Sequence, residues 1–289
     1  MNLREFVENN PRLVLRKASE RYPDLYVLKY HNRVFYDNLW TPELEECRGT
    51  VVDENWNVIV RPFRKIYNRF ERDTDIPLDE TVTAIRKING FMGAVTWRPE
   101  RNQIIYSTTG SLDSDFTRLA EQHLKYFVPS HHFGQPITWL FEICDAADPH
   151  IIQEDLGAWL IGGRNVVTGE MLPEDVLDSV AETQSVLRPG WWRGRFSDAV
   201  QQTKACRHEG FVVYGKDTSL KMKSPYYLTK KLFARLKRER LCSQWLEDNR
   251  QKIDEEYYPL VDYINENRVE FGLLQEQDRL RFIEDFLSQ

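Results

Sequence analysis

Strand-forming sequence stops near Tyr227. Up to about residue 225 the chain alternates short β-branched and aromatic runs with amphipathic stretches. Residues 228–289 instead repeat apolar side chains at three- and four-residue intervals, as in Leu232, Phe233, Leu236 and Phe282, Phe286. A period near two followed by a period near 3.6 excludes an all-helical bundle and a pure sandwich, and it predicts an α+β chain divided into residues 1–227 and a small helical subdomain, 228–289. Strands are expected at 25–29, 49–53, 58–60, 93–97, 104–108, 138–143, 159–164 and 211–214. Being short and numerous, they favour antiparallel sheets. Between them, Phe116, Leu119, Ala120, His123, Leu124 and Phe127 fall at helical spacing behind an Asp or Ser cap, so 114–127 reads as a surface-packed helix.

A chain of 289 residues can bury a full core without staples. Its cysteines, Cys47, Cys144, Cys206 and Cys242, are scattered and form no CxxC pair, which suits ordinary thiols in a reducing compartment. No secretory pattern and no membrane-length apolar run is read, so a cytoplasmic protein is expected. The net charge of -6 argues against a polycation but permits a local basic groove.

Chemistry enters through three short patterns. Lys87-Ile88-Asn89-Gly90 places a glycine three residues after a lysine, directly before an apolar run; taken alone it describes an exposed lysine at a turn. Glu209-Gly210-Phe211-Val212-Val213 is the second. In the third, Leu220-Lys221-Met222-Lys223, strand alternation puts both lysines on one face, where two ammonium groups repel unless an anion sits between them. A solvated lysine-rich edge strand accounts for that pattern equally well in isolation.

In order, KxxG, then Phe141-Glu142, then EGFVV, then KxK, the patterns resemble the covalent nucleotidyltransferases: DNA ligases, RNA ligases and mRNA capping enzymes. Upstream, Cys47-Arg48-Gly49-Thr50-Val51-Val52 and Arg61-Pro62-Phe63-Arg64-Lys65-Ile66-Tyr67-Asn68 resemble segments that precede the lysine in the phage-type RNA ligase 1 family. Thr109-Gly110-Ser111 and Trp159-Leu160-Ile161-Gly162-Gly163-Arg164-Asn165 extend the likeness, which covers about residues 45–225. Thr109 and His150 stand where that family often has basic residues, and both departures bear on RNA-end contacts rather than on nucleotidyl transfer.

The resemblance implies a two-sheet antiparallel nucleotidyltransferase domain, ATP-grasp-like, and an ATP-dependent RNA ligase that seals 5′-phosphate and 3′-hydroxyl RNA ends, nicked tRNA among them. It implies that Lys87 carries AMP and that Lys221 and Lys223 neutralise phosphate oxygens. Gly90 lets the chain turn beside the nucleotide, and Glu142 accepts a hydrogen bond from the ribose. Glu209, with Glu142, holds Mg2+ or Mn2+ through water, which oxygen ligands with retained waters suit. Arg48 and Lys65 are the expected ribose, phosphate or RNA-end contacts, and Trp159 offers a ring for adenine, though strand tryptophans more often pack in cores.

A free lysine, with a pKa of about 10.4, is mostly protonated at neutral pH, so a nucleophilic lysine needs desolvation or neighbouring positive charge. The start of the helical segment, with Lys230, Lys231, Arg235, Lys237, Arg238 and Arg240 around Glu239, reads as either a phosphate-facing stripe or a solvated helix face. DNA ligases and capping enzymes usually place an OB-fold of roughly five strands after KxK, and a helix-rich stretch stands there instead. That favours the RNA branch. A relative that binds RNA without chemistry is the remaining alternative.

Overall fold

The computed structural model describes residues 3–132, 134–235 and 242–287. Its strands are β1 (Val14–Ala18), β2 (Leu25–Tyr30), β3 (Arg48–Asp53), β4 (Val58–Val60), β5 (Tyr67–Asn68), β6 (Thr81–Arg86), β7 (Phe91–Arg98), β8 (Gln103–Thr108), β9 (Ile137–Cys144), β10 (Gly157–Asn165), β11 (Trp191–Arg195), β12 (Gly210–Tyr214) and β13 (Ser219–Lys223). The chain forms two compact units. The first comprises Met1–Ile66, Gly90–Pro149 and Glu154–Pro189; the second comprises Tyr67–Asn89, His150–Gln153 and Gly190–Gln289.

In the first unit two four-stranded sheets, ordered β1-β2-β3-β4 and β10-β9-β7-β8, pack through Val27, Val51 and Val60 on one side and Ala94, Ile105 and Leu140 on the other. Alternation sends the neighbours of those residues to the opposite face. There Val95, Phe141, Ile143 and Leu160 meet Ala120 and Leu124 of the helix Asp115–Leu124 and Leu177 and Ala181 of the helix Glu174–Gln184. The first of these helices starts where expected, since the Ser114 hydroxyl accepts a hydrogen bond from the Thr117 N–H at 3.2 Å. Phe116, assigned to its apolar stripe, lies exposed and meets the Phe91 ring edge-on.

The second unit holds a five-stranded sheet, β11-β6-β12-β13-β5, antiparallel except for the parallel pair β13 and β5. Val82, Ala84, Val213 and Leu220 cover one face together with Phe196 and Ala199 of the helix Phe196–Ala205. After β13 come the helices Pro225–Arg235, Ser243–Asp248, Tyr258–Glu266, Arg268–Leu273 and Glu276–Leu287, with no strand among the described residues, as the sequence predicts. They share a core of their own, built on Leu232, Leu246, Leu260, Ile264, Phe271 and Ile283. Leu236, Lys237, Arg238, Glu239 and Arg240 lie outside the described residues.

The fold class is α+β, but the strands fall into three sheets, where two were expected. The strands absent from the expectation are β1, β5, β6 and β11, while β13 is the strand on which the lysine alternation was argued. Basic residues and glycine in β1 and β11, and the two-residue length of β5, hide their alternation. No helix among the described residues is long and apolar enough to cross a membrane.

Candidate functional site

The ladder of the second unit's sheet gathers the sequence patterns. β6 ends at Arg86, and the next residue continues the pairing: the Lys87 N–H donates to the Gly210 carbonyl at 2.9 Å. Across β12, Gly210 stands opposite Lys223 in β13. KxxG, EG and KxK therefore meet in one cross-strand row, although about 120 residues separate Lys87 from Glu209 in sequence. Gly210 is required there, because it has φ +134° and a Cβ would lie 2.0 Å from the Met222 carbonyl oxygen.

Glu209 sits just ahead of that glycine, with its side chain only 3% exposed. Its Oε2 accepts from Lys87 Nζ at 3.0 Å and from Asn89 Nδ2 at 2.8 Å. Asn89 is itself held, since its Oδ1 accepts from the Ile152 N–H at 2.9 Å. The arrangement fixes the amine by a chain of bonds to backbone. Next to Glu209, burial and then the Arg86 charge hold the His208 imidazole below its ordinary pKa. Its neutral Nδ1 is thereby free to accept from the Gly210 N–H at 3.2 Å.

Lys221 and Lys223 do share a face of β13, both half-buried, while Leu220 and Met222 point into the core. Lys223 Nζ is ion-paired with Glu256, whose other oxygen takes Lys231 Nζ at 2.6 Å. Lys231, assigned to the possible phosphate-facing stripe, instead turns inward and also meets Asp254 at 2.8 Å. Lys230 stays exposed over the Tyr226 ring.

The first unit holds the remaining predicted residues. The Gly90 N–H donates to Glu142 Oε1 at 3.1 Å. A Cβ on Gly90 would lie 2.3 Å from the Ile143 carbonyl oxygen, so close passage over β9 is what requires glycine here. Glu142 is the one residue of β9 that is not fully buried. Arg48, half-buried at the start of β3, makes no side-chain bond among the described residues. Lys65 Nζ lies 4.8 Å from the Trp40 ring centroid and 5.6 Å from that of Phe35, an aromatic corner that holds its charge. Trp159 corrects its assignment: it is 7% exposed and its indole N–H donates to the Asp155 carbonyl at 3.0 Å, a core position rather than an open stacking ring.

Two residues escaped the sequence reading. Asn89 lies inside the KxxG pattern and its side chain carries no signal at that scale. Glu256 lies in a helical stretch with nothing to connect it to a lysine 33 residues earlier. No group of three or more His, Cys, Asp or Glu gathers as a metal cage among the described residues. A single carboxylate with retained waters is chemistry that Mg2+ accepts.

No family model matches this sequence, and no curated protein matches it. Solved structures do match its fold. Two forms of an archaeal ATP-dependent RNA ligase superpose with TM-scores of 0.60 and 0.61 at 15% identity, over 98% of this chain and 74% of that one. The chain has the fold of an ATP-dependent RNA ligase. A Naegleria gruberi RNA ligase with PPi gives a TM-score of 0.45 at 13% identity over 57% of this chain and 56% of that one, too slight to add to this. Within the ligase fold the archaeal match runs through both compact units, the helical segment included, because it leaves only 2% of the chain uncovered.

Proposed function

We propose that this protein is an ATP-dependent RNA ligase that forms lysyl-AMP on Lys87 and seals 5′-phosphate and 3′-hydroxyl RNA ends, with residues 1–227 carrying nucleotidyl transfer and 228–289 a helical subdomain. The observation that carries the reading is the single row Lys87, Gly210, Lys223, with the Lys87 amine 3.0 Å from the Glu209 carboxylate. In the first step the amine attacks the α-phosphorus of ATP, an N–P bond forms, the P–O bond to pyrophosphate breaks, and the amine proton leaves. Glu209 is the group in contact to take it.

Lys221 and Lys223 supply compact positive charge as the negative charge moves onto pyrophosphate. Arg48 and Lys65 are assigned to phosphate or ribose, Gly90 to the turn beside the nucleotide, and Glu142 to a ribose hydroxyl, in exchange for its present bond to Gly90. Mg2+ or Mn2+ held at Glu209 would neutralise phosphate charge when bound. In the next steps the RNA 5′-phosphate displaces Lys87 from AMP, and the 3′-hydroxyl displaces AMP from the RNA. The site of action is the cytoplasm, with broken RNA, tRNA included, as substrate.

Incubation with ATP and Mg2+ is expected to add one AMP to the protein, with no addition to Lys87→Ala. Labelling by GTP alone would place the protein with capping enzymes, and no labelling with any divalent metal would leave an RNA-binding relative. Joining of phosphorylated RNA strands in preference to DNA, with and without a tRNA-like stem-loop, tests the substrate. Preference for DNA would overturn the RNA assignment.

A further inference from the structure

We propose that Glu256, from the helical segment, is a positioning residue of the nucleotide site, holding Lys223 where its ammonium meets a phosphate oxygen. The inference rests on the ligase reading above, which assigns Lys223 to phosphate. Two lysines on one strand face repel, and the anion that relieves Lys223 is supplied by the chain itself.

Glu256 is 7% exposed and Lys223 12%, so the pair is shielded from water. Burial alone would raise the Glu256 carboxyl, yet the Lys223 and Lys231 ammoniums hold it below the usual carboxylate range. It is therefore ionised at neutral pH. The two lysines take different oxygens, Lys231 on Oε1 and Lys223 on Oε2. Lys231 is tied further to Asp254, and the neighbouring Tyr257 hydroxyl donates to the Leu228 carbonyl at 2.7 Å within the helical core. The carboxylate is thus anchored independently of Lys223.

An ammonium has three N–H donors, and Glu256 is the hydrogen-bond acceptor of one of them. The others remain for phosphate, so carboxylate and phosphate can be held together. This geometry makes Glu256 a guide rather than a competitor. It also gives the helical segment a part in the chemistry through one side chain.

The test measures single-turnover formation of labelled lysyl-AMP across ATP concentrations in the full chain, for wild type, Glu256→Gln, Glu256→Asp, Lys223→Met and the Glu256→Gln, Lys223→Met double variant, with melting temperatures taken in parallel. Glu256→Gln is expected to lower the maximal rate about ten-fold or more while moving half-saturation by less than about three-fold, since the loss is in the transition state. Glu256→Asp recovers part of it. In the Lys223→Met background the same change adds less than about two-fold, because the lysine it guides is gone.

An unchanged rate, an equal loss in both backgrounds, or a loss that merely follows the unfolded fraction overturns the proposal. A faster rate overturns it too, by making Glu256 a brake. If wild type takes no label from ATP, the ligase reading fails and takes this role with it; label on wild type with no effect at Glu256 sinks this role alone.

Discussion

Each unit buries one carboxylate between two cations, and the two clusters are built differently. In the first unit Glu46, 5% exposed, accepts from Arg164 at 2.7 and 3.1 Å and from Arg64 at 2.5 Å. Arg164 also donates to the Gly169 and Pro62 carbonyls, at 2.8 and 2.5 Å. In the second unit Glu256 is held by lysines, which are point charges with donors to spare. A guanidinium fork closes a site because its donors are set in fixed directions. An ammonium pair holds a carboxylate and still has donors to offer. The first cluster joins the β3 approach to β10, and the second ties β13 to the helical segment through Lys223 and Lys231.

The difference is broken most heavily at Glu46. Glu46→Gln leaves Arg164 buried without its counter-charge and is expected to cost about 3–5 kcal/mol in urea unfolding, with labelling of the folded fraction by ATP unchanged. Arg164→Lys keeps the charge but strands the Pro62 and Gly169 carbonyls, for about 1–3 kcal/mol by the same measurement. At Glu256, by contrast, the rate should suffer more than the stability.

Acid tests both clusters at once. Burial pulls the Glu46 carboxyl up, but Arg164 and Arg64 outweigh it and hold the group below its ordinary value, as the two lysines do for Glu256. A carboxyl depressed in the folded state contributes fully above its unfolded pKa of about 4.3, and the contribution is lost as pH falls through the lower folded value. Urea midpoints should therefore fall below pH 5, and the fall should be shallower in Glu46→Gln and in Glu256→Gln. A slope unchanged in both would mean that other carboxyls carry the acid response.

The smallest effect concerns a neighbour of Glu46. Burial, aided by Glu46 and Glu43, pushes the Cys47 thiol up to about 12, so Cys47 should stay unmodified by a thiol reagent at pH 8 while half-buried Cys242 reacts. Reaction at Cys47 before denaturation would show that the Glu46 cluster opens in the native state.

Where burial dictates sequence, the chain was readable. β2, β3, β4, β7, β8, β9, β10 and β12 all overlap expected strands, because their apolar residues feed three cores and tolerate little else. β11 was not legible, since Trp191, Trp192, Arg193, Gly194 and Arg195 give an edge strand no clean alternation. The helices Glu174–Gln184 and Phe196–Ala205 show too few large apolar residues to announce a period. At the site, Lys87 and Glu209 were legible as patterns and Lys223 as half of an alternation. Their meeting was not, because it depends on a ladder that joins distant strands. For Trp159 the sequence left a stacking ring beside the commoner core position; the structure shows the core position, and the Asp155 carbonyl that takes its N–H carries no sequence mark.

The bonds around Asn89 also bear on how the protein ages. An asparagine followed by glycine is prone to lose its amide, because the unhindered glycine nitrogen can attack the side-chain carbonyl and close a cyclic imide. In the folded chain the Asn89 amide is held at both ends, by Glu209 and by Ile152, and the Gly90 nitrogen is occupied with Glu142. Unfolded chain has none of these restraints. Repeated partial unfolding would convert Asn89 to a carboxylate facing Glu209, so a stored preparation should lose the bonds around Lys87 and Glu209 well before it loses its secondary structure.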